Sequence, residues 1–83
     1  MPHQTIPDGW TQKAKYLEKT FIFSDFPAAI SFMIRVAPEA QRLNHHPEWT
    51  NIYNKVMVKL TTHDAGGLTD LDYDLARVMD SVY

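Results

Sequence analysis

Two stretches of strict alternation, each running into a stretch of helical spacing, constrain what this chain can fold into. Leu17, Phe21 and Phe23 share one parity, with Glu18, Thr20 and Ile22 on the other. Val56, Val58 and Leu60 likewise alternate with Met57, Lys59 and Thr61. Period two puts successive side chains on opposite faces of a strand, so each stretch predicts a strand with one buried face. Residues 10–13 and 16–23 form the first predicted pair, joined at Ala14-Lys15, and residues 49–53 and 56–61 the second, joined at Asn54-Lys55.

A helix is expected after each pair. Ser24 or Asp25 can cap the first, because a short side-chain oxygen accepts from the free N–H groups of the opening turn. Phe26, Ile30, Met33, Ile34 and Ala37 then form one apolar stripe. Pro38 lacks an N–H and its ring presses on the Ile34 carbonyl, which predicts a kink or a short break before a last turn ending near Leu43. Ala65-Gly66-Gly67 reads as a flexible loop. It is no phosphate loop, since no Lys-Ser/Thr follows. Thr69 can cap the second helix with Asp72 as its capping-box partner, and Leu71, Leu75, Val78, Met79 and Val82 give the buried face. The order strand, strand, helix, strand, strand, helix predicts an α+β domain: a four-stranded antiparallel sheet with helices packed on one face. Residues 1–9, with Pro2, Pro7 and Gly9, read as a short arm before a single domain over residues 10–83.

A chain of 83 residues buries a modest share of its surface, and small domains usually add disulfides, a metal or association. The absence of cysteine excludes disulfides and thiolate zinc sites. Self-association or a histidine metal site is left. The net charge of −2, with Lys13, Lys15 and Lys19 scattered, argues against direct nucleic-acid binding. No apolar run is long enough to span a bilayer and no signal-peptide pattern opens the chain, so a cytoplasmic location without a membrane role is expected.

Three of the four histidines fall in two short segments, Leu43-Asn44-His45-His46-Pro47-Glu48-Trp49 and Thr61-Thr62-His63-Asp64. A side chain that titrates near neutrality can both give and take a proton. Zinc needs three or four converging ligands. Neighbouring side chains on an extended chain diverge, and Pro47 favours extension at His46, so His45 and His46 do not readily share one ion. Asp64 or Asp72 could add an oxygen ligand to such a site. Acid–base work fits better, because loss of water needs one group to protonate the departing hydroxyl and another to take the neighbouring proton. Structural roles stay open for single residues: His45 beside the last carbonyls of a helix, His63 finishing a strand, Trp49 in a core or interface, and Asp72 as a first-turn carboxylate. His3 reads as a solvated arm residue.

His45-His46-Pro47-Glu48-Trp49, Tyr53-Asn54-Lys55-Val56, Thr62-His63-Asp64, Gly67-Leu68-Thr69 and Asp72 together resemble the pterin-4a-carbinolamine dehydratase family. The likeness extends through Gly9-Trp10, Phe21, Phe23, Phe26, Leu75 and Ala76. It implies the same α+β fold. It also implies dehydration of a 4a-hydroxytetrahydropterin to the quinonoid dihydropterin, which recycles the cofactor of aromatic amino acid hydroxylases. No metal or bound cofactor is implied. Carried over by motif, His45, His46 and His63 are the active-site histidines. His63 and His45 would move protons at the 4a-hydroxyl and ring nitrogen. His46, Thr62 and Asp64 would bind and orient the pterin, beside Pro47, Trp49 and Asp72. The resemblance also implies homodimers or homotetramers. An alternative role is dimerisation of a homeodomain transcription factor or assembly of other enzymes. Two departures stand out. Gln41 occupies a position where the family often has glutamate, which leaves Asp72 as another possible partner for His45. Members also usually carry a further helix before the position of Gly9, so packing near the N-terminus is expected to differ.

Overall fold

The computed structural model describes residues 5–83, so His3 and the start of the predicted arm lie outside the described residues. Strands β1 (Thr11–Gln12) and β2 (Leu17–Ile22) precede helix α1 (Phe26–Leu43). Strands β3 (Glu48–Ile52) and β4 (Lys55–Leu60), a 3-10 turn (His63–Ala65) and helix α2 (Asp70–Val82) follow. The sheet order is β1-β2-β4-β3 and every pairing is antiparallel. β3 is therefore an edge.

Register places Leu17 opposite Leu60, and Phe21 opposite Val56, on the covered face of the sheet. These residues, with Val58, are buried against Ala29, Phe32, Val36 and Ala40 of α1 and Leu75, Ala76 and Met79 of α2. Full burial of each such Leu, Phe or Met contributes about 1.5–3 kcal/mol. Thr20, Ile22, Thr50, Ile52, Lys55 and Lys59, of the opposite parity, are exposed. Both helices thus pack on one face, as the alternation predicts.

The α1 stripe differs from expectation. Ala29, Phe32, Val36 and Ala40 are the buried positions, whereas Phe26 is 48% and Ile34 65% exposed. Ile30 and Met33 are half-buried and Ala37 is exposed. α1 is apolar around much of its girth, so side-chain bulk pointed to the wrong face. Alanines at core positions let a helix sit close to its neighbours. Asp25 accepts from the Ala28 N–H at 2.9 Å and caps the helix. The break expected at Pro38 is absent: α1 continues to Leu43. Pro38 lies on the exposed side, where the carbonyl it leaves without an N–H partner remains open to water.

In α2, Leu75 and Met79 are buried as expected, whereas Leu71, Val78 and Val82 are half-buried and Asp72 and Ala76 join the interior. The β3–β4 turn falls at Tyr53-Asn54, one residue early, with Tyr53 at φ 50°. β1 is only 2 residues long and is reinforced by side chains. The Trp10 indole N–H donates to both Asp80 carboxylate oxygens at 3.1 Å, and Lys19 Nζ lies 2.8 Å from Asp80 Oδ1. Gly9 (φ 87°) passes so close to Lys19 that a Cβ there would meet Nζ at 2.9 Å. Among the described residues, no helix is long and apolar enough to cross a membrane.

Candidate active site

α1 ends in a left-handed residue, Asn44, at φ 51° and ψ 40°. The Asn44 N–H bonds to the Gln41 carbonyl at 3.0 Å, and the His45 N–H to the Ala40 carbonyl at 3.1 Å. This is the Schellman arrangement, which satisfies orphan carbonyls while reversing the chain. Asparagine tolerates the left-handed region better than most residues. The reversal tucks His45 inward, to 8% exposure, and leaves His46 exposed.

The opposite wall follows β4. Thr62 and Gly67 exchange backbone hydrogen bonds at 3.0 and 3.3 Å, closing the 3-10 turn that carries His63 and Asp64. Gly66, at φ 72°, supplies the left-handed residue that closure requires. The segment expected to be a flexible loop is therefore a hydrogen-bonded turn.

These two corners face each other across a groove of about 280 Å³. Asn44, His45 and His46 border it from one side, and Thr61, Thr62, His63 and Asp64 from the other. A larger concavity of about 490 Å³ lies on the open sheet face, over Thr20, Thr50 and Met57, and none of the histidines lines it. The larger concavity carries Glu18, Lys19, Glu48 and Lys59. The smaller groove gathers three imidazoles, the side chain best suited to both giving and taking a proton, and is therefore the candidate site.

His45 Nε2 lies 2.6 Å from Asp72 Oδ1, and Asp72 is fully buried at 0% exposure. The other carboxylate oxygen, Oδ2, accepts from the Thr62 hydroxyl at 2.8 Å and from the Thr69 N–H at 2.9 Å. The Thr69 bond is the returning half of the capping box predicted for α2. A carboxylate that accepts from Nε2–H fixes the tautomer and orientation of the ring and leaves Nδ1 as the nitrogen free to exchange protons. His46 Nε2 pairs instead with Gln41 Oε1 at 3.0 Å, in an exposed bond. Residue 41 is thus the partner of the second histidine, and Asp72 serves the first. His63 and Asp64 are exposed and have no side-chain hydrogen bond among the described residues.

Not every residue singled out in the sequence reaches the groove. Pro47 is half-buried and Trp49, in β3, packs against the core; neither lines it. Asp72 does not line it and reaches it through His45 and Thr62. Asn44 and Thr61 border the groove without having been singled out, although asparagine directly after an apolar helical run was a readable signal for the reversal. Among the described residues, no group of three or more His, Asp or Glu side chains is placed to hold a metal ion.

Residues 2–82 match the sequence model of the family described as Pterin 4 alpha carbinolamine dehydratase. The chain belongs to that family. A Sulfurisphaera tokodaii protein bearing the pterin-4-alpha-carbinolamine dehydratase name is 53% identical over 74 residues, covering 89% of this chain and 80% of its own. A Rhizobium etli protein of the same name is 54% identical over 74 residues, covering 87% and 73%. A crystal structure from Brucella melitensis, described as a transcriptional coactivator/pterin dehydratase, superimposes with a TM-score of 0.87 at 43% identity, covering 90% of this chain and 82% of that one. Within the pterin-4a-carbinolamine dehydratase family, the α+β fold of this chain is in keeping with that structural neighbour.

Proposed function

We propose that this chain dehydrates a 4a-hydroxytetrahydropterin to the quinonoid dihydropterin by histidine acid–base catalysis, returning the product of an aromatic amino acid hydroxylase to use in the cytoplasm. One observation carries the reading: His45, His46 and His63, from two segments separate in the sequence, border one groove. In the reaction the C4a–O bond breaks, the departing hydroxyl takes a proton and leaves as water. The neighbouring ring nitrogen loses its proton as the new double bond forms. His45, with Nε2 committed to Asp72, exchanges protons through Nδ1. His63, exposed and without a side-chain hydrogen bond among the described residues, is the second proton-transfer group, while His46 and Asp64 orient the pterin. Pro47 and Trp49 support the strand that follows His46. Each proton-transfer group is worth about 10²- to 10⁴-fold in rate. The test is the dehydration rate of 4a-hydroxytetrahydropterin, generated in situ by a hydroxylase, for the wild type and His63→Ala. Fast dehydration that collapses in the variant is expected. No acceleration by folded wild type over the spontaneous rate overturns the reading.

A second reading, as a homo-oligomer that also engages a protein partner, is favoured by the uncovered apolar side of α1, where Phe26 and Ile34 are exposed. Large apolar side chains exposed on one helix are candidates for such contact. Ile34→Asp is expected to lower the mass seen by light scattering after gel filtration. An unchanged mass would remove this face from the assembly.

A further inference from the structure

We propose that Thr69 and Thr62 form a one-way hydroxyl chain that holds Asp72, and through it the ring of His45, so that both threonines are positioning residues for the dehydration. The proposal rests on the dehydratase reading above and deepens it.

The direction of the chain follows from counting protons. A threonine hydroxyl has one hydrogen to give and two lone pairs to accept with. A carboxylate only accepts, so the 2.6 Å contact between His45 Nε2 and Asp72 Oδ1 has the imidazole as donor. The 2.8 Å contact between Thr62 Oγ1 and Asp72 Oδ2 therefore spends the Thr62 hydrogen. Thr62 Oγ1 also lies 2.8 Å from Thr69 Oγ1. Since the Thr62 hydrogen is already used, Thr69 must be the donor there. The order is Thr69 to Thr62 to Asp72, with His45 donating from the other end. Turning Thr62 round would set two acceptors face to face 2.8 Å apart beneath a buried carboxylate.

Three parts of the fold meet in this chain: Thr62 at the start of the 3-10 turn after β4, the first turn of α2, and the corner after α1. Thr62, Thr69 and Asp72 are all remote in sequence from His45, which occupies the corner after α1. Aligned hydroxyl dipoles polarise one another, which strengthens the bond at the carboxylate end. Two of the three donors on Asp72 are neutral and independent of His45. The set of donors at Asp72 is thus the same whether the His45 ring carries one proton or two. The imidazole can take and return a proton with no rearrangement behind it. Thr62 also borders the groove, but its hydroxyl hydrogen is committed inward, so its effect belongs to turnover more than to pterin affinity.

The experiment compares Thr62→Val, which keeps the branched shape and loses the hydroxyl, with Thr62→Ser, which keeps the hydroxyl. Steady-state dehydration and ¹⁵N NMR of the histidine rings are recorded on the full chain. Thr62→Val is expected to lower kcat about tenfold or more, with KM within about twofold of wild type. The His45 ring-nitrogen resonances are expected to shift. Thr62→Ser is expected to restore both, and Thr69→Val to shift the same resonances less. A raised KM with unchanged kcat would overturn the proposal, because Thr62 would then be a pterin contact. So would unchanged His45 resonances in Thr62→Val. If wild type itself does not dehydrate the substrate, the dehydratase reading has failed and the NMR comparison alone decides the hydroxyl chain. If Thr62→Val does not fold, Thr62→Ala against Thr62→Ser carries the same readouts.

Discussion

His45 and His63 border the same groove from opposite sides, and they are held in opposite ways. His45 is 8% exposed, follows a helix-terminal reversal and donates to a buried carboxylate. His63 is exposed at the start of a turn closed by backbone bonds, and its ring makes no side-chain hydrogen bond among the described residues. The contrast suits a pair of proton-transfer groups in which one must be aimed and the other must reach. It also separates stability from activity at the two histidines, because His45 belongs to the buried network around Asp72 and His63 is exposed.

The largest expected effect breaks the buried side. Asp72→Ala strips an acceptor from His45, Thr62 and the Thr69 N–H at once, and should cost about 3–5 kcal/mol of unfolding free energy by urea titration. A loss under about 1 kcal/mol would mean that the interior does not depend on this carboxylate. Next comes His63→Ala, expected to lower dehydration by about 10²-fold or more while stability stays within about 0.5 kcal/mol of wild type. An equal loss of stability would erase the distinction between the two histidines. Gly66→Ala probes the turn itself. Nothing lies within 4 Å of the added methyl, so the cost is the left-handed φ alone, about 1–2 kcal/mol in thermal or urea unfolding. The smallest effect is expected from Gln41→Ala. Its bond to His46 is exposed, so its loss should change stability by less than about 0.5 kcal/mol. A larger loss would show that the outer histidine is also held from behind.

Much of this architecture was legible because alternation and spacing report burial directly. The β2 and β4 faces, the Asp25 cap and the Thr69–Asp72 cap all follow from local pattern. The α1 core face did not, since bulky residues lie on both sides of that helix and only tertiary contact selects Phe32 over Ile34. The histidines were legible as a set. Their partners were less so: Gln41 and His46 are five residues apart, but His45 and Asp72 are 27 apart, and no local rule pairs them. Asp72 was readable as a cap, as a group near the pterin and, through the departure at Gln41, as one possible partner of His45. Its second oxygen makes it the hinge between α2 and the groove, and that is a property of the fold.

Trp10 gives the molecule a built-in optical reporter. Its indole binds Asp80, 70 residues away, and its ring meets Phe21 edge-on at 5.9 Å. A carboxylate at the indole nitrogen and an aromatic edge on the ring make its emission sensitive to whether the N-terminal strand is docked on α2. In a Trp49→Phe background, fluorescence would follow undocking of that strand as a signal of its own. Circular dichroism would follow the helices in parallel, and any lag between the two would time the release of β1.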